Sequence, residues 1–401
     1  MEKATIIIYN LTLYCFYGGF QLNKNFIDSV NLFSCKFLHI VSKLQEEKNI
    51  VCSPLSIYIS LFAIAVGATA DTQKEILHAM GITQENKNNI IQHIPNLLRE
   101  ICFDNKEQAL IIANSIWVSN EYTIKDSFQR YMKNLGNTDV FSLNFHDANA
   151  GNYISSWISK KTNDSINPFL SVSSDLLISI INTVYFESKW NYAFDKEDTK
   201  KDFFYMNKEK KVECDFMHKK LHGHNYVIGD GYKASSIPFE KGEIVFILPD
   251  ENRTIDEFTR SPEKIFEITT MSQAKKGTVL FQIPKFTLKS SVALISILKQ
   301  MGIQKAFSRD AQINGISETA LFISEIKQEN FIEMNETGAK AVAYTITCGE
   351  VLGSFNIEDL LFDEEMIELF LERPFLYAVK IFAKNSSFLL FMGICSNPTD
   401  E

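Results

Sequence analysis

Glu333–Thr347 reads Glu-Met-Asn-Glu-Thr-Gly-Ala-Lys-Ala-Val-Ala-Tyr-Thr-Ile-Thr, and its reading decides the fold. Taken with a period of two, Ala339, Ala341, Ala343, Thr345 and Thr347 fall on one face and are all small. Lys340, Val342, Tyr344 and Ile346 fall on the other and are long or bulky. Successive side chains of an extended chain point to opposite faces. The segment therefore fits a strand whose buried face is lined only by small groups. Its own propensity is poor, because an alanine-rich run after Glu-Thr-Gly is a weak strand nucleus. A segment that fits a central strand without being committed to one describes a loop able to insert into a sheet.

Length and composition bound the rest. With 401 residues and 45% hydrophobic content the chain can bury a sizeable core, as a few average domains or one large one. A net charge of −9 excludes a general nucleic-acid binder, which needs a basic face. The cysteines (Cys15, Cys35, Cys52, Cys102, Cys214, Cys348, Cys395) are scattered, odd in number and without a Cys-x-x-Cys pair, so free thiols are expected rather than a zinc ribbon or a disulfide framework. Residues 1–25 form an N-terminal extension or signal-like segment: Lys3 precedes the apolar run Ala4–Phe20, which Asn10 and Thr12 interrupt. The run is too short and polar for a membrane span. Signal peptide, uncleaved export signal and structural extension all stay open. Asn-x-Ser/Thr sequons begin at Asn10, Asn163, Asn252, Asn335 and Asn385, a motif that chance also produces.

No repeat, low-complexity tract or Pro/Gly-rich linker divides the chain, which reads as a single domain over 26–401. Phe26–Leu44 has helical apolar spacing. Asn49–Cys52 is a short strand, and Ser53-Pro54 opens a helix, Leu55–Ala68, that is apolar nearly all round and hence buried. Ala109–Val118 is a strand, Ser127–Leu135 and Asn152–Thr162 are helical, and Leu176–Phe186 is apolar on both faces, which marks a central strand of a covered sheet. Val212–Met217, Ser235–Phe239 and Ile244–Asp250 are strand-like.

In its hinge, Glu333, Asn335, Glu336, Gly338, Ala339, Ala341 and Ala343, the chain resembles the serpin superfamily of protease inhibitors. The likeness continues in order from Phe26 to Pro398, through Asn49–Gly81 with its Gly67–Thr72 turn, Asn182–Phe194 with Tyr185, Phe186, Lys189 and Trp190, Gly315–Glu318, Arg373–Phe375 and Phe391–Gly393. It implies an α+β fold of three β-sheets with about eight or nine helices and an exposed reactive loop, here about 336–373. It implies a suicide-substrate inhibitor of a serine protease, with a covalent acyl complex and insertion of the cut loop into the main sheet. Family members that only bind or transport often carry large, charged or Pro residues at the inward hinge positions; this chain carries none, although Ala339 replaces the usual Thr or Ser. The family's sheet-opening region maps to Ser53, Ser56, Asn182, Trp190 and Gln328, where Gln328 replaces a usual His and still donates and accepts hydrogen bonds.

The family spacing from Glu336 puts the reactive bond at Leu352–Gly353. An apolar Leu352 suits a chymotrypsin-like or elastase-like enzyme and is compatible with a cysteine protease. The competing function is a non-inhibitory serpin serving as a binding or storage protein. The resemblance further implies a monomer and an extracellular or cell-surface location, with an intracellular one as the alternative; the divergent loop and the run of sequons and thiols fit a glycoprotein facing a host, as a parasite's would. A heparin-like cofactor is not expected, since Gln84–Asn105 carries Glu85, Glu100 and Asp104 and few basic residues. The chain departs from the family downstream: Gly353 to Pro374 is long, and Asn356-Ile-Glu-Asp359 reads as a helix start for Ile357–Glu372. That segment is either a helix packed on the body or a contact surface presenting a displaced bond at Phe355–Asn356.

Other chemistry is absent from the sequence: no Gly-x-Ser-x-Gly elbow, His-Glu-x-x-His, Walker loop or Gly-x-Gly-x-x-Gly. His218, His222 and His224 read as solvated hairpin histidines rather than a metal site, and no cofactor or metal is expected. Lys208, Lys210, Lys211, Lys219 and Lys220 read as a guarded strand edge ahead of a binding patch.

Overall fold

The computed structural model describes residues 24–44, 49–83, 87–104, 108–162, 164, 168, 170–340, 365–384 and 386–400. The chain opens with α1 (Lys24–Leu44), β1 (Ile50–Cys52), α2 (Pro54–Gly67), α3 (Ala70–Ala79), α4 (Lys87–Ile101), β2 (Phe103–Asp104) and β3 (Ala109–Ser119). It continues with α5 (Asp126–Leu135), β4 (Thr138–Leu143), α6 (Ala150–Lys161), β5 (Ile178–Lys189), β6 (Lys200–Tyr205), β7 (Lys211–Gly229), β8 (Tyr232–Phe239) and β9 (Gly242–Pro249). Then come α7 (Ile255–Thr259), α8 (Pro262–Thr270), β10 (Lys275–Pro284), β11 (Phe286–Ala293), α9 (Ile295–Gln300), β12 (Glu325–Met334), β13 (Gly338–Lys340), β14 (Met366–Phe370), β15 (Phe375–Ala383) and β16 (Ser386–Cys395).

Two hydrogen-bonded sets of strands result. The seven-stranded sheet runs β11-β12-β13-β5-β3-β2, with β4 paired to β3 and β12 paired directly to β5 as well. The nine-stranded set runs β1-β16-β15-β9-β8-β7-β10-β14, with β6 beside β7. Its long β7 pairs with β6 over Lys211–Phe216, with β10 over Phe216–Tyr226 and with β8 over Tyr226–Gly229. Divided at that strand, the nine-stranded set supplies a second and a third sheet.

The buried helix α2 joins the layers. Pro54 supplies the fixed φ of a first helical turn. Every residue of α2 except Val66 is buried, because it packs on β3 and β5 on one side and on β16 on the other. Ser53 stands at its N-cap, yet its hydroxyl donates to Leu390 O (2.8 Å) instead of capping the helix. The opposite face of the seven-stranded sheet is covered by α6, whose Ile154, Trp157 and Ile158 cluster with Ala113, Trp117 and Ile181. Covered on both faces, β5 is buried over Ile178–Phe186, as its unbroken apolar run requires.

Three expectations are corrected. The segment expected to be helical through Glu372 is a strand from Met366 to Phe370, parallel to β10. Met366 and Glu368 are exposed while Ile367 and Leu369 are buried, so a period of two decides it over the helix-like glutamates. The loop is accordingly shorter than 336–373: strand brackets it at Lys340 and at Met366, and 341–364 lies outside the described residues. The three histidines lie on one continuous strand, β7, not on a hairpin. Cys35, Cys52, Cys102, Cys214 and Cys395 are free thiols.

Two landmarks far apart in sequence pack together. Gly315 N donates to Gly67 O (2.9 Å), and Thr69 N to Gln312 O (2.7 Å). A Cβ on Gly315 would lie 2.7 Å from Gly67 O and 2.9 Å from Gly67 Cα. Gly315→Val is therefore expected to destabilise by about 1–3 kcal/mol through overpacking, read as a lower melting temperature in calorimetry; an unchanged transition contradicts this packing.

Candidate functional site

The site is built where β12 turns back on itself. Asn335 closes the turn with its own side chain, Oδ1 accepting from Thr337 N (3.0 Å), Thr337 Oγ1 (2.7 Å) and Gly338 N (3.3 Å). Trp190 braces it from below, Nε1 donating to Asn335 O (2.9 Å) and its backbone N to Thr337 O (3.1 Å). The chain then re-enters the sheet as β13. Met334 faces Ala339 and Glu333 faces Lys340 on one side. Lys189, Ser188 and Glu187 face Gly338, Ala339 and Lys340 on the other. Only glycine fits at 338, because a Cβ there would collide with Ser188 O. Ala339, the first small inward residue, is 1% exposed and part of the main core.

Glu336 fastens this re-entry. It is 6% exposed, its carboxylate accepting from Thr199 Oγ1 (3.0 Å) and pairing with Lys285 Nζ (3.1 Å). Burial opposes the charge, but the backbone N–H of Glu336, the Lys285 ammonium and the Thr199 hydroxyl outweigh it and hold the carboxyl below its ordinary value. At the far end of the loop a second carboxylate is tied, Tyr226 Oη donating to Glu365 Oε2 (2.6 Å) and Thr278 N to Glu365 O (3.0 Å).

Deeper in the sheet, β12 and β5 pair in parallel from Glu325–Ser179 to Glu329–Thr183 and no further. A buried polar lock holds that pair shut. Gln328 Nε2 lies 2.9 Å from Ser53 O, 2.9 Å from Ser56 Oγ and 2.8 Å from Asn182 Oδ1, while Oε1 accepts from Ser53 N (3.1 Å). Asn182 Nδ2 donates to Asn114 Oδ1 (2.7 Å), and Ser60 Oγ donates to that same oxygen. The network joins β12, β5, β3 and the start of α2. Above it, Asn330–Ile332 and Val184–Phe186 have no ladder between them until β13 begins. Thr183 Oγ1 and Asn330 Oδ1 are buried there, without a hydrogen-bond partner among the described residues.

Of the residues singled out in the sequence, Ser53, Ser56, Asn182 and Gln328 meet in the lock. Trp190 stands apart from them, under the hinge beside Glu336, Gly338 and Ala339. Ala341, Ala343, Leu352 and Gly353 lie outside the described residues. Lys285, Thr199, Tyr226, Ser60 and Asn114 were not anticipated as site residues, since their roles rest on partners that only the fold brings near. The histidines are separately engaged, His218 Nδ1 with Asp198 O (2.9 Å), His222 Nδ1 with Thr278 Oγ1 (3.0 Å) and His224 Nε2 with Ser236 O (2.5 Å).

Comparison with known proteins agrees with this architecture. Residues 28–398 match the model of the serpin (serine protease inhibitor) family. Human neuroserpin is 26% identical over 369 residues, 88% of this chain and 87% of its own. Bovine serpin A3-6 is 29% identical over 361 residues, 88% and 84% of the two chains. Among solved structures, human thyroxine-binding globulin complexed with thyroxine superposes with a TM-score of 0.81 at 23% identity, covering 94% of this chain and 100% of that one. Human glycosylated kallistatin gives 0.81 at 21% identity, covering 94% and 99%.

Two outcomes follow from the geometry. Gln328→Leu leaves the Ser53 N–H without its partner, at about 1–3 kcal/mol, and removes one of the two donors to Asn182 Oδ1, which keeps Ser56 Oγ. The urea midpoint should drop, and Gln328→His, which keeps a donor and an acceptor, should recover part of the loss. Glu336 has a folded pKa below its unfolded one, so its contribution is present above the ordinary carboxylate range and is lost as pH falls through the folded value. The melting-temperature gap between wild type and Glu336→Gln should be widest at neutral pH and close on acidification; a constant gap contradicts the ion pair's role.

Proposed function

The chain belongs to the serpin (serine protease inhibitor) family, and on that premise we propose that it inhibits a serine protease by loop insertion. The observation that carries the reading is Ala339, already buried between Met334 and Ser188 above an unpaired stretch of β12 and β5. Continuing the register of β13 would bring Ala341 between Ile332 and Phe186, Ala343 between Asn330 and Val184, Thr345 between Gln328 and Asn182, and Thr347 between Ile326 and Ile180. The same shift relates β12 to β5 in their direct pairing, so the strand enters both edges without a slip. Every inward residue is small.

The protease attacks the loop and forms an acyl-enzyme. Cleavage frees the hinge, the Gln328–Asn182 contact parts, and backbone ladders form on both sides of the entering strand. The attached protease is carried along and distorted before deacylation is complete. The intact fold is thus held kinetically rather than at its lowest free energy. No cofactor is needed. The family spacing sets the bond at Leu352–Gly353, and Leu352 directs it to chymotrypsin-like or elastase-like enzymes. An extracellular setting goes with this reading. Among the sequons, Asn252 is exposed, while the Asn335 amide is committed to its turn and to Glu333 Oε1 (3.0 Å). The second reading, a carrier or storage protein, keeps the fold and forms no covalent complex.

Incubation with chymotrypsin, pancreatic elastase, trypsin and papain tests the proposal. A detergent-stable band is expected with chymotrypsin or elastase, together with a released peptide starting at Gly353. Ala343→Arg, which would bury an unpaired charge on insertion, should convert the inhibitor into a substrate that is cut without trapping. Cleavage with no covalent band for any serine protease contradicts the inhibitor reading.

A further inference from the structure

On the far side of α1 from β16, a cavity of about 230 Å³ opens between α1, the end of α3 and the end of α9. Its polar lining is Lys36, His39, His78 and Gln300, all donors or bases. Ile40, Ala79 and Met301 supply an apolar wall. No carboxylate lines it, and none forms an ion pair with Lys36, His39 or His78 among the described residues. His39 is already oriented: its Nδ1 lies 2.6 Å from Thr259 O. A carbonyl only accepts, so that nitrogen carries the proton. Nε2 remains as the second ring nitrogen, on a ring held at its other end by Thr259.

Two helix C-termini would ordinarily set negative carbonyl ends against an anion. Here most of those carbonyls are occupied. Ile76 O, Leu77 O and His78 O accept from Met80 N, Ile82 N and Gly81 N, and Ile297 O and Lys299 O accept from Met301 N and Gly302 N. Gln304 Nε2 adds a further bond to Lys299 O. The space amounts to about eight water volumes at about 30 Å³ each, below the range of a drug-sized site.

We propose that this cavity binds a small amphipathic anion, a carboxylate or phosphate group carried on a compact apolar body. The anionic group meets Lys36, His39, His78 and Gln300, and the apolar body lies against Ile40, Ala79 and Met301. The site is separate from the hinge and the lock, and its occupation does not depend on the inhibitor reading.

Calorimetric titration of the full chain with phenyl phosphate tests it. Saturable one-to-one binding is expected, with benzyl alcohol failing to bind. Lys36→Gln and His39→Gln should each weaken binding by about tenfold or more, the scale of one hydrogen bond to a charged group. Both variants should fold, since Lys36 is exposed and a glutamine at 39 still has a donor for Thr259; unliganded melting temperatures check this. Binding to soluble phenyl phosphate but not to phosphatidic-acid vesicles assigns a free ligand, and binding to both assigns a lipid headgroup. No saturable heat, equal binding of benzyl alcohol, or unchanged affinity in both variants overturns the proposal.

Discussion

The ladder between β12 and β5 closes through Glu329–Thr183 and then stops, and the rest of the structure depends on that interruption. Below it the two strands form an ordinary parallel pair. Above it no ladder joins them among the described residues, and Gly338–Lys340 sit between them at the top. A sheet split part-way is unusual, because unpaired buried backbone is costly. What keeps it from closing is the clasp of Asn335, Glu336 and Trp190, which holds three residues of a potential seventh partner in the mouth of the gap. What keeps it from opening further is the amide of Gln328, which binds β12 to β5 and to the start of α2 at once.

These two devices differ in chemistry. The clasp rests on a buried carboxylate and so depends on charge. The lock rests on neutral amides and hydroxyls and does not titrate. Where the family usually has a His, Gln328 keeps both a donor and an acceptor on one rigid planar group. The orphaned Thr183 Oγ1 and Asn330 Oδ1 fit the same picture of a slot lined with groups awaiting a neighbour.

Much of this was legible in the sequence, for identifiable reasons. Strands buried on both faces, such as β5, announce themselves as unbroken apolar runs, and α2 does so as a helix without a polar side. The small-residue alternation of the hinge fits the proposed inserting strand. The lock residues were readable because they stand in motifs. What escaped were contacts made only in three dimensions: Lys285, between β10 and β11, and Thr199, just before β6, reach Glu336, and Tyr226 reaches Glu365. Trp190 was grouped with the lock because it follows Asn182 in one family motif, yet eight residues along the chain carry it past the end of β5 to the hinge. The segment before Phe370 misled because glutamates imitate a helix face, while its pairing with β10 rewards alternation instead.

The central claim is that the intact chain holds its loop away from a more stable arrangement. Thermal unfolding of the protein before and after a single cut between Ala341 and Glu364 tests this most directly. The cut protein, with the loop inserted as a full strand, should melt far above the intact one. Equal melting temperatures for intact and cut protein would contradict it, leaving the family and the fold in place but not the mechanism.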